Sequence, residues 1–157
     1  MSYIDKNLLT TEKVLYRAKV HPIIFAMPVF WVLVTLVLLT QDDTVRLLAY
    51  VTTFAALYYL ILALVRYYTS EYAVTNKRVL MKFGLIHRHS LELFLHKVEG
   101  IQVSQNLLGR IIRYGTVIII GTGGTRDPFS LIAEPLTFRR KVLTQVETAL
   151  QKYNRID

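Results

Sequence analysis

The period of the apolar positions divides the 157-residue chain into three parts. Residues 13–20, "KVLYRAKV", alternate. Val14, Tyr16, Ala18 and Val20 fall on one face and Lys13, Arg17 and Lys19 on the other, with Leu15 the misfit. A Val-rich period of two predicts a strand. Pro22 to Thr40, "PIIFAMPVFWVLVTLVLLT", is 19 residues without a charge. Leu47 to Val65, "LLAYVTTFAALYYLILALV", is another 19, bounded by Arg46 and Arg66. At about 1.5 Å per residue each reaches roughly 28 Å, close to the hydrocarbon thickness of a bilayer. Two such runs with only "QDDTVR" between them predict a transmembrane helical hairpin, 22–40 and 47–65, rather than two buried core helices.

After Arg66 the period returns to two, with turn residues between short apolar segments. Strands are predicted at 70–75, 79–83, 90–95, 100–105, 115–122 and 128–133. The β-branched run "GTVIIIGT" reads as a central strand. From Glu134 onward the period becomes helical, with Leu136, Leu143, Val146, Leu150 and Tyr153 recurring and Pro135 in the first turn. Six or so antiparallel strands closed by one amphipathic C-terminal helix predict a small α+β, barrel-like domain. The expected organisation is therefore an N-terminal segment, 1–21, a membrane hairpin, 22–65, and a cytoplasmic domain, 66–157. The strand in 13–20 would pair with an open edge of that domain's sheet and protect it from aggregation.

Composition supports this division. The chain is 53% apolar and 19% charged with a mean hydropathy of +0.36, an excess concentrated in the two long runs. The segment before the first run is long, carries Asp5 and Glu12, and is followed by "TQDDT" rather than a small-x-small site, so the run reads as retained and not as a signal peptide. Cysteine is absent, which excludes disulfides, thiolate metal sites and a cysteine nucleophile.

Charge orients the hairpin. Residues 1–21 hold four basic and two acidic side chains, net +2; residues 41–46 hold one and two, net −1; residues 66–157 hold 14 and seven, net +7. The positive-inside rule puts both termini in the cytoplasm. The total of +8 is thus assigned to a surface facing anionic lipid, not to nucleic acid. Neither run contains an ionisable residue, so no proton relay or ion pathway is marked. Ala49, Thr53, Ala56, Leu60 and Ala63, at spacings of 4, 3, 4 and 3, form a mostly small-residue seam for helix packing, and Tyr67 and Tyr68 suit an aromatic belt.

Candidate chemistry is sparse. "IIIGTGGTRDPF" (118–129) lacks the Lys and the following helix of a phosphate-binding loop, and the spacing of a dinucleotide fingerprint. It reads as a hairpin connection in which Gly121, Gly123 and Gly124 supply positive φ and Asp127-Pro128 ends the turn. His87 and His89 would share a strand face, but no acidic residue lies at a convincing ligand spacing; a surface role is favoured over metal binding. Ser70, Ser90, Ser104 and Ser130 all sit in alternating patterns without a nucleophile elbow. No catalytic residue, metal or cofactor is assigned.

"EKVLYRAKVHPIIF" (12–25), "YAVTNKRVLMKFGLI" (72–86) and "VSQNLLGRIIRYGTVIIIGTGGTRDPFSLIAEPLTFRR" (103–140) together cover well over half the chain. In these segments the chain resembles the bacterial pleckstrin-homology (PH) domain membrane family. The resemblance implies two membrane helices preceding a PH-like barrel and no reaction, since such barrels bind lipids, peptides or proteins.

In that light the basic residues become candidates for membrane contact. Lys77 and Arg78 occupy the first hairpin, with Lys82 and Arg88 on or near the following strands. Eukaryotic PH domains can carry an inositol-phosphate site there. Here the loop is short and the pattern incomplete, which favours a solvated turn. In "NLLGRIIRYG" (106–115), Leu107, Leu108, Ile111 and Ile112 interleave with Arg110 and Arg113. That composition suits either a segment at a bilayer interface or an apolar cap over an open barrel end. The expected function is a non-catalytic scaffold or protein-interaction module, oligomeric or bound to other membrane proteins. The alternatives are a sensor of anionic lipid headgroups and an enzyme with an unrecognised site.

Overall fold

The computed structural model describes residues 4, 7–9, 11–83 and 89–153. In chain order the elements are β1 (Val14–Ala18), a 3-10 turn (Pro22–Phe25), α1 (Ala26–Leu39), α2 (Asp43–Thr69), β2 (Glu71–Thr75), β3 (Arg78–Phe83) and β4 (His89–Phe94). A second 3-10 turn (Leu95–Lys97) leads to β5 (Val98–Ser104), α3 (Leu107–Ile111), β6 (Tyr114–Gly121), β7 (Arg126–Ala133) and α4 (Pro135–Tyr153). The chain forms two compact units, Pro22–Tyr68 on the one hand and Met1–His21 with Thr69–Asp157 on the other.

In the helical unit, α1 starts at Ala26, four residues later than the apolar run. Pro28 explains the delay. It has no N–H to donate back to Ile24, so it is tolerated only within the first turn, and the preceding residues wind as a 3-10 turn instead. The second helix exceeds its apolar run at both ends, with Asp43 in its first turn paired to Arg46 at 2.8 Å. Thr35 Oγ1 donates to Thr52 Oγ1 at 2.8 Å, and Trp31 stacks on Tyr59 with ring centroids 6.3 Å apart. The packed face of α2 is Ala49, Thr52, Ala56 and Ala63. The expected seam is corrected at two positions, since Thr53 and Leu60 are exposed. A packed face follows steps of three and four residues from Ala49. Thr52 meets Thr35, whereas Thr53 turns back to the Ala49 carbonyl at 2.7 Å.

In the other unit the strands form two antiparallel sheets, ordered β1-β2-β3-β4 and β5-β6-β7. They are not closed into the expected barrel. The N-terminal segment runs along an edge of each sheet. β1 pairs with β2, Ala18 opposite Tyr72. The next residues bond to β7: the Ala133 N–H donates to the Lys19 carbonyl at 2.9 Å, and the His21 N–H to the Leu131 carbonyl at 2.7 Å. The alternating stretch 13–20 thus holds five residues of strand and, in Val20, a bridge to Ile132.

β2 is buried on both faces, from Tyr72 to Thr75. On one face Ala73 packs with Leu80 and Ile4, flanked by Leu8 and Val14. The chain's beginning therefore covers the four-stranded sheet. On the other lies the main core, including Tyr72, Val74, Val79, Met81, Val117, Ile119, Phe129 and Ile132. α4 packs on β5 and β6 and reaches β1 and β2, its Phe138 ring 6.2 Å from that of Tyr16. Its buried residues include Pro135, Phe138 and Val142, while Leu136, Leu143 and Leu150 are exposed. This corrects the expected face. The leucines recur every seven residues on one side, but Phe138 and Val142, one turn apart, supply the side that the sheets bury.

The glycine stretch is a hairpin turn between β6 and β7, with Gly123 at φ 96° and Gly124 at φ 78°. Gly121 is not in the left-handed region. It ends β6, where a Cβ would lie 3.2 Å from Leu93. Asp127 and Pro128 do not end the turn but belong to β7, opposite Ile119 and Ile118. A proline is accommodated there because β7 borders the three-stranded sheet.

Candidate functional site

The basic residues predicted at the surface divide into two groups. Arg78 opens β3 yet is only 8% exposed. Its Nε and one terminal nitrogen meet the two carboxylate oxygens of Glu12, each at 3.0 Å. Other terminal-nitrogen contacts go to Glu92 and to the Asn7 carbonyl. The Thr75 hydroxyl donates to Glu12 at 2.7 Å and accepts from the Arg78 N–H at 3.0 Å. Burial alone would raise the Glu12 pKa. Hydrogen bonds from Arg78, the Leu9 N–H and Thr75, together with the Arg78 charge, outweigh it and hold the carboxyl below its ordinary value. Arg78 is therefore withdrawn as a lipid contact, because its donors are used inside the fold. Beside it Lys77 donates to Thr11 Oγ1, and Lys82 is half-buried and already engaged. Arg88 and His87 lie outside the described residues.

The second group is brought together by α3. Asn106 caps this helix, its side-chain oxygen accepting the Gly109 N–H at 2.7 Å. Gln105 donates from its amide to the Gly109 carbonyl at 3.0 Å and the Tyr114 carbonyl at 2.9 Å. Gly109 is needed for this close approach, since a Cβ there would fall 2.6 Å from the Tyr114 oxygen. The helix ends at Ile111, and Arg113, with a φ of 60°, turns the chain into β6. Held this way, the segment presents its apolar side chains outward: Leu107 is 77% exposed, Leu108 63%, Ile111 76% and Ile112 41%. A cap over an open barrel end would bury these residues. That alternative is excluded by their exposure.

Next to α3 is a cleft of about 350 Å³ that the sequence did not reveal. It is lined by Arg110 and Arg113 from the α3 segment, Gln105 before it, and Glu134, Thr137 and Arg140 from the start of α4. The Glu134 N–H donates to the Arg113 carbonyl at 2.9 Å, and both residues have positive φ. Glu134 also faces Tyr16, whose hydroxyl is raised above its ordinary pKa first by burial and then by this carboxylate. The α3 arginines and Arg140 are 27 to 30 residues apart in the chain, and only the pairing of β6 with β7 joins them. No local motif could have shown it. Among the described residues no group of three or more His, Asp or Glu side chains converges.

Two antiparallel sheets backed by a C-terminal helix carry this exposed apolar and basic projection. The family model for the bacterial PH domain matches residues 22–152, from the start of the helical unit almost to the end of α4. The chain belongs to the bacterial PH domain family. No curated protein matches it, and no solved structure does.

Proposed function

We propose that this chain is an integral membrane protein that holds a non-catalytic PH-family module at the cytoplasmic face of a bacterial inner membrane, as an interaction platform for other membrane proteins or further copies of itself. One observation carries the reading: the two apolar helices are exposed along their length, including Phe54, Val51, Leu47 and Val37. The core helices of a soluble protein would bury such residues. Apolar surface on this scale calls for lipid or protein to cover it. In this reading the two sheets, bridged at one edge by Lys19–His21, are the halves of a PH-like sandwich, and the exposed leucines of α4 suit a protein partner. The chain should stay with membranes through washes at high salt and alkaline pH and be released only by detergent. Release by salt alone would overturn the anchor.

A second reading, contact between the module and anionic lipid headgroups, is favoured by α3, where exposed leucine and isoleucine side chains flank two arginines. The absence of cysteine allows a single reporter. An environment-sensitive dye on Leu108→Cys in reconstituted full-length protein should be quenched by nitroxide-bearing lipids, more strongly in anionic than in neutral vesicles. Quenching no greater than at a Thr122→Cys reporter in the glycine turn would show that α3 does not touch the bilayer.

A further inference from the structure

We propose that the cleft between α3 and the first turn of α4 binds a phosphate group, carried by a lipid headgroup or by a soluble phosphate compound. The site uses the same segment as the membrane-contact reading of α3, and so deepens it, yet the two can fail separately.

Three arginines, Arg110, Arg113 and Arg140, are among the residues that line the cleft. Among the described residues none of the three has a carboxylate or carbonyl partner, in contrast to Arg78, which is held by Glu12 and Glu92. Three like charges along one cleft favour an anion beside them. Glu134 is the one carboxylate in the lining and forms no ion pair with them, which leaves a local charge of +2. That charge matches a phosphate near neutral pH, and the planar fork of arginine suits its tetrahedral oxygens. Thr137 and Gln105 add polar groups, although the Gln105 amide already donates to two carbonyls. At the start of α4, Phe138 bonds back to Glu134, so the Leu136 and Thr137 N–H groups have no acceptor within the helix.

The backbone is also set for this arrangement. Arg113 and Glu134 both have positive φ, 60° and 50°, a conformation that non-glycine residues rarely adopt. A hydrogen bond joins these two residues, and both are among those lining the cleft.

The test uses the full chain in an uncharged detergent at constant ionic strength, with chloride as the balancing anion. Inorganic phosphate, dihexanoyl phosphatidic acid and dihexanoyl phosphatidylcholine are titrated by calorimetry. Binding should be saturable for at least one of the first two and weakened by about tenfold or more in Arg140→Gln. Arg140 is an exposed helix residue outside α3. Its substitution should leave the fold unchanged by circular dichroism. Arg140→Lys should lose part of the affinity, because the charge is kept and the fork is not. Binding of phosphatidic acid points to a lipid source, and binding of inorganic phosphate alone to a soluble one. Absence of saturable binding, or equal binding by Arg140→Gln, would overturn the site whether or not α3 contacts the membrane. Quenching lost with phosphate binding intact would remove the membrane contact and leave the site.

Discussion

Arg78 and Glu12 form a two-point ion pair, 3.0 Å at each contact, across 66 residues of chain that include both apolar helices. The pair ties the N-terminal segment to the first strands after the helices and closes the region where a basic hairpin would otherwise be open. Arg78→Gln should leave the Glu12 carboxylate buried without its countercharge, at a cost of about 3–5 kcal/mol. Thermal melts of the full chain in detergent, followed by circular dichroism, should show the loss. The apolar double replacement Glu12→Leu with Arg78→Met should recover much of it. Additive losses in the two single variants and the double would show that the pair is not coupled.

The same pair predicts the response to acid. The folded Glu12 carboxyl lies below its ordinary value of 4.5. Its contribution is therefore complete above that value and declines as pH falls through the lower folded value. The stability difference between the wild type and Glu12→Gln should be constant from pH 7 to about pH 5 and shrink on further acidification. A difference independent of pH down to 3 would contradict the ionised, paired state.

Much of the fold was legible because periodicity is a local property. The alternation in β6, the switch of period at Pro135 and the lengths of the apolar runs each report on consecutive residues. Errors arose where a distant partner decided. Leu136, Leu143 and Leu150 match a helical stripe as well as Phe138 and Val142 do, and only the packing of α4 on the sheets shows which is buried. Thr52 and Thr53 are neighbours in a run of small residues, separated by the position of Thr35. Likewise Arg78 reads as a hairpin charge until Glu12 is found beside it. Composition singles out the α3 residues as candidates, but Arg140 and Glu134 join them only through the β6–β7 pairing.

Gly109 and Gly100 should respond differently to the same substitution. At Gly109 an added methyl group would lie 2.6 Å from the Tyr114 oxygen and 2.8 Å from the capping oxygen of Asn106. At Gly100 it would meet only the end of Ile120, at 3.8 Å. Gly109→Ala should cost roughly 1–3 kcal/mol and unseat α3, because backbone and cap must both move. Gly100→Ala should change stability by less than about 1 kcal/mol, the usual size of a glycine effect in a strand. Protease susceptibility around Arg110 separates the two, rising in Gly109→Ala alone. Equal behaviour would mean that the cap does not hold the segment.

The hydrogen bonding of β1 to β2 also restricts how the chain can cross a membrane. Val14 lies opposite Thr75 and Ala18 opposite Tyr72, so the segments before and after the helices belong to one sheet. If α1 and α2 each span the bilayer, the two flanks must emerge on the same side, because no strand pairs through the hydrocarbon. Charge selects that side. The flanks carry net +2 and +7 and the connection between the helices net −1, so retention in the cytoplasm is favoured for both flanks. The cysteine-free chain gives a direct assay. A cysteine replacing Gln41, between the helices, should react with a membrane-impermeant maleimide in spheroplasts. Cysteines replacing Ser2 or Thr122 should react only after the membrane is opened. Labelling of Ser2→Cys and Thr122→Cys from opposite sides would be incompatible with the β1–β2 pairing. Labelling of both from outside would preserve the sheet but place the module on the outer side of the membrane.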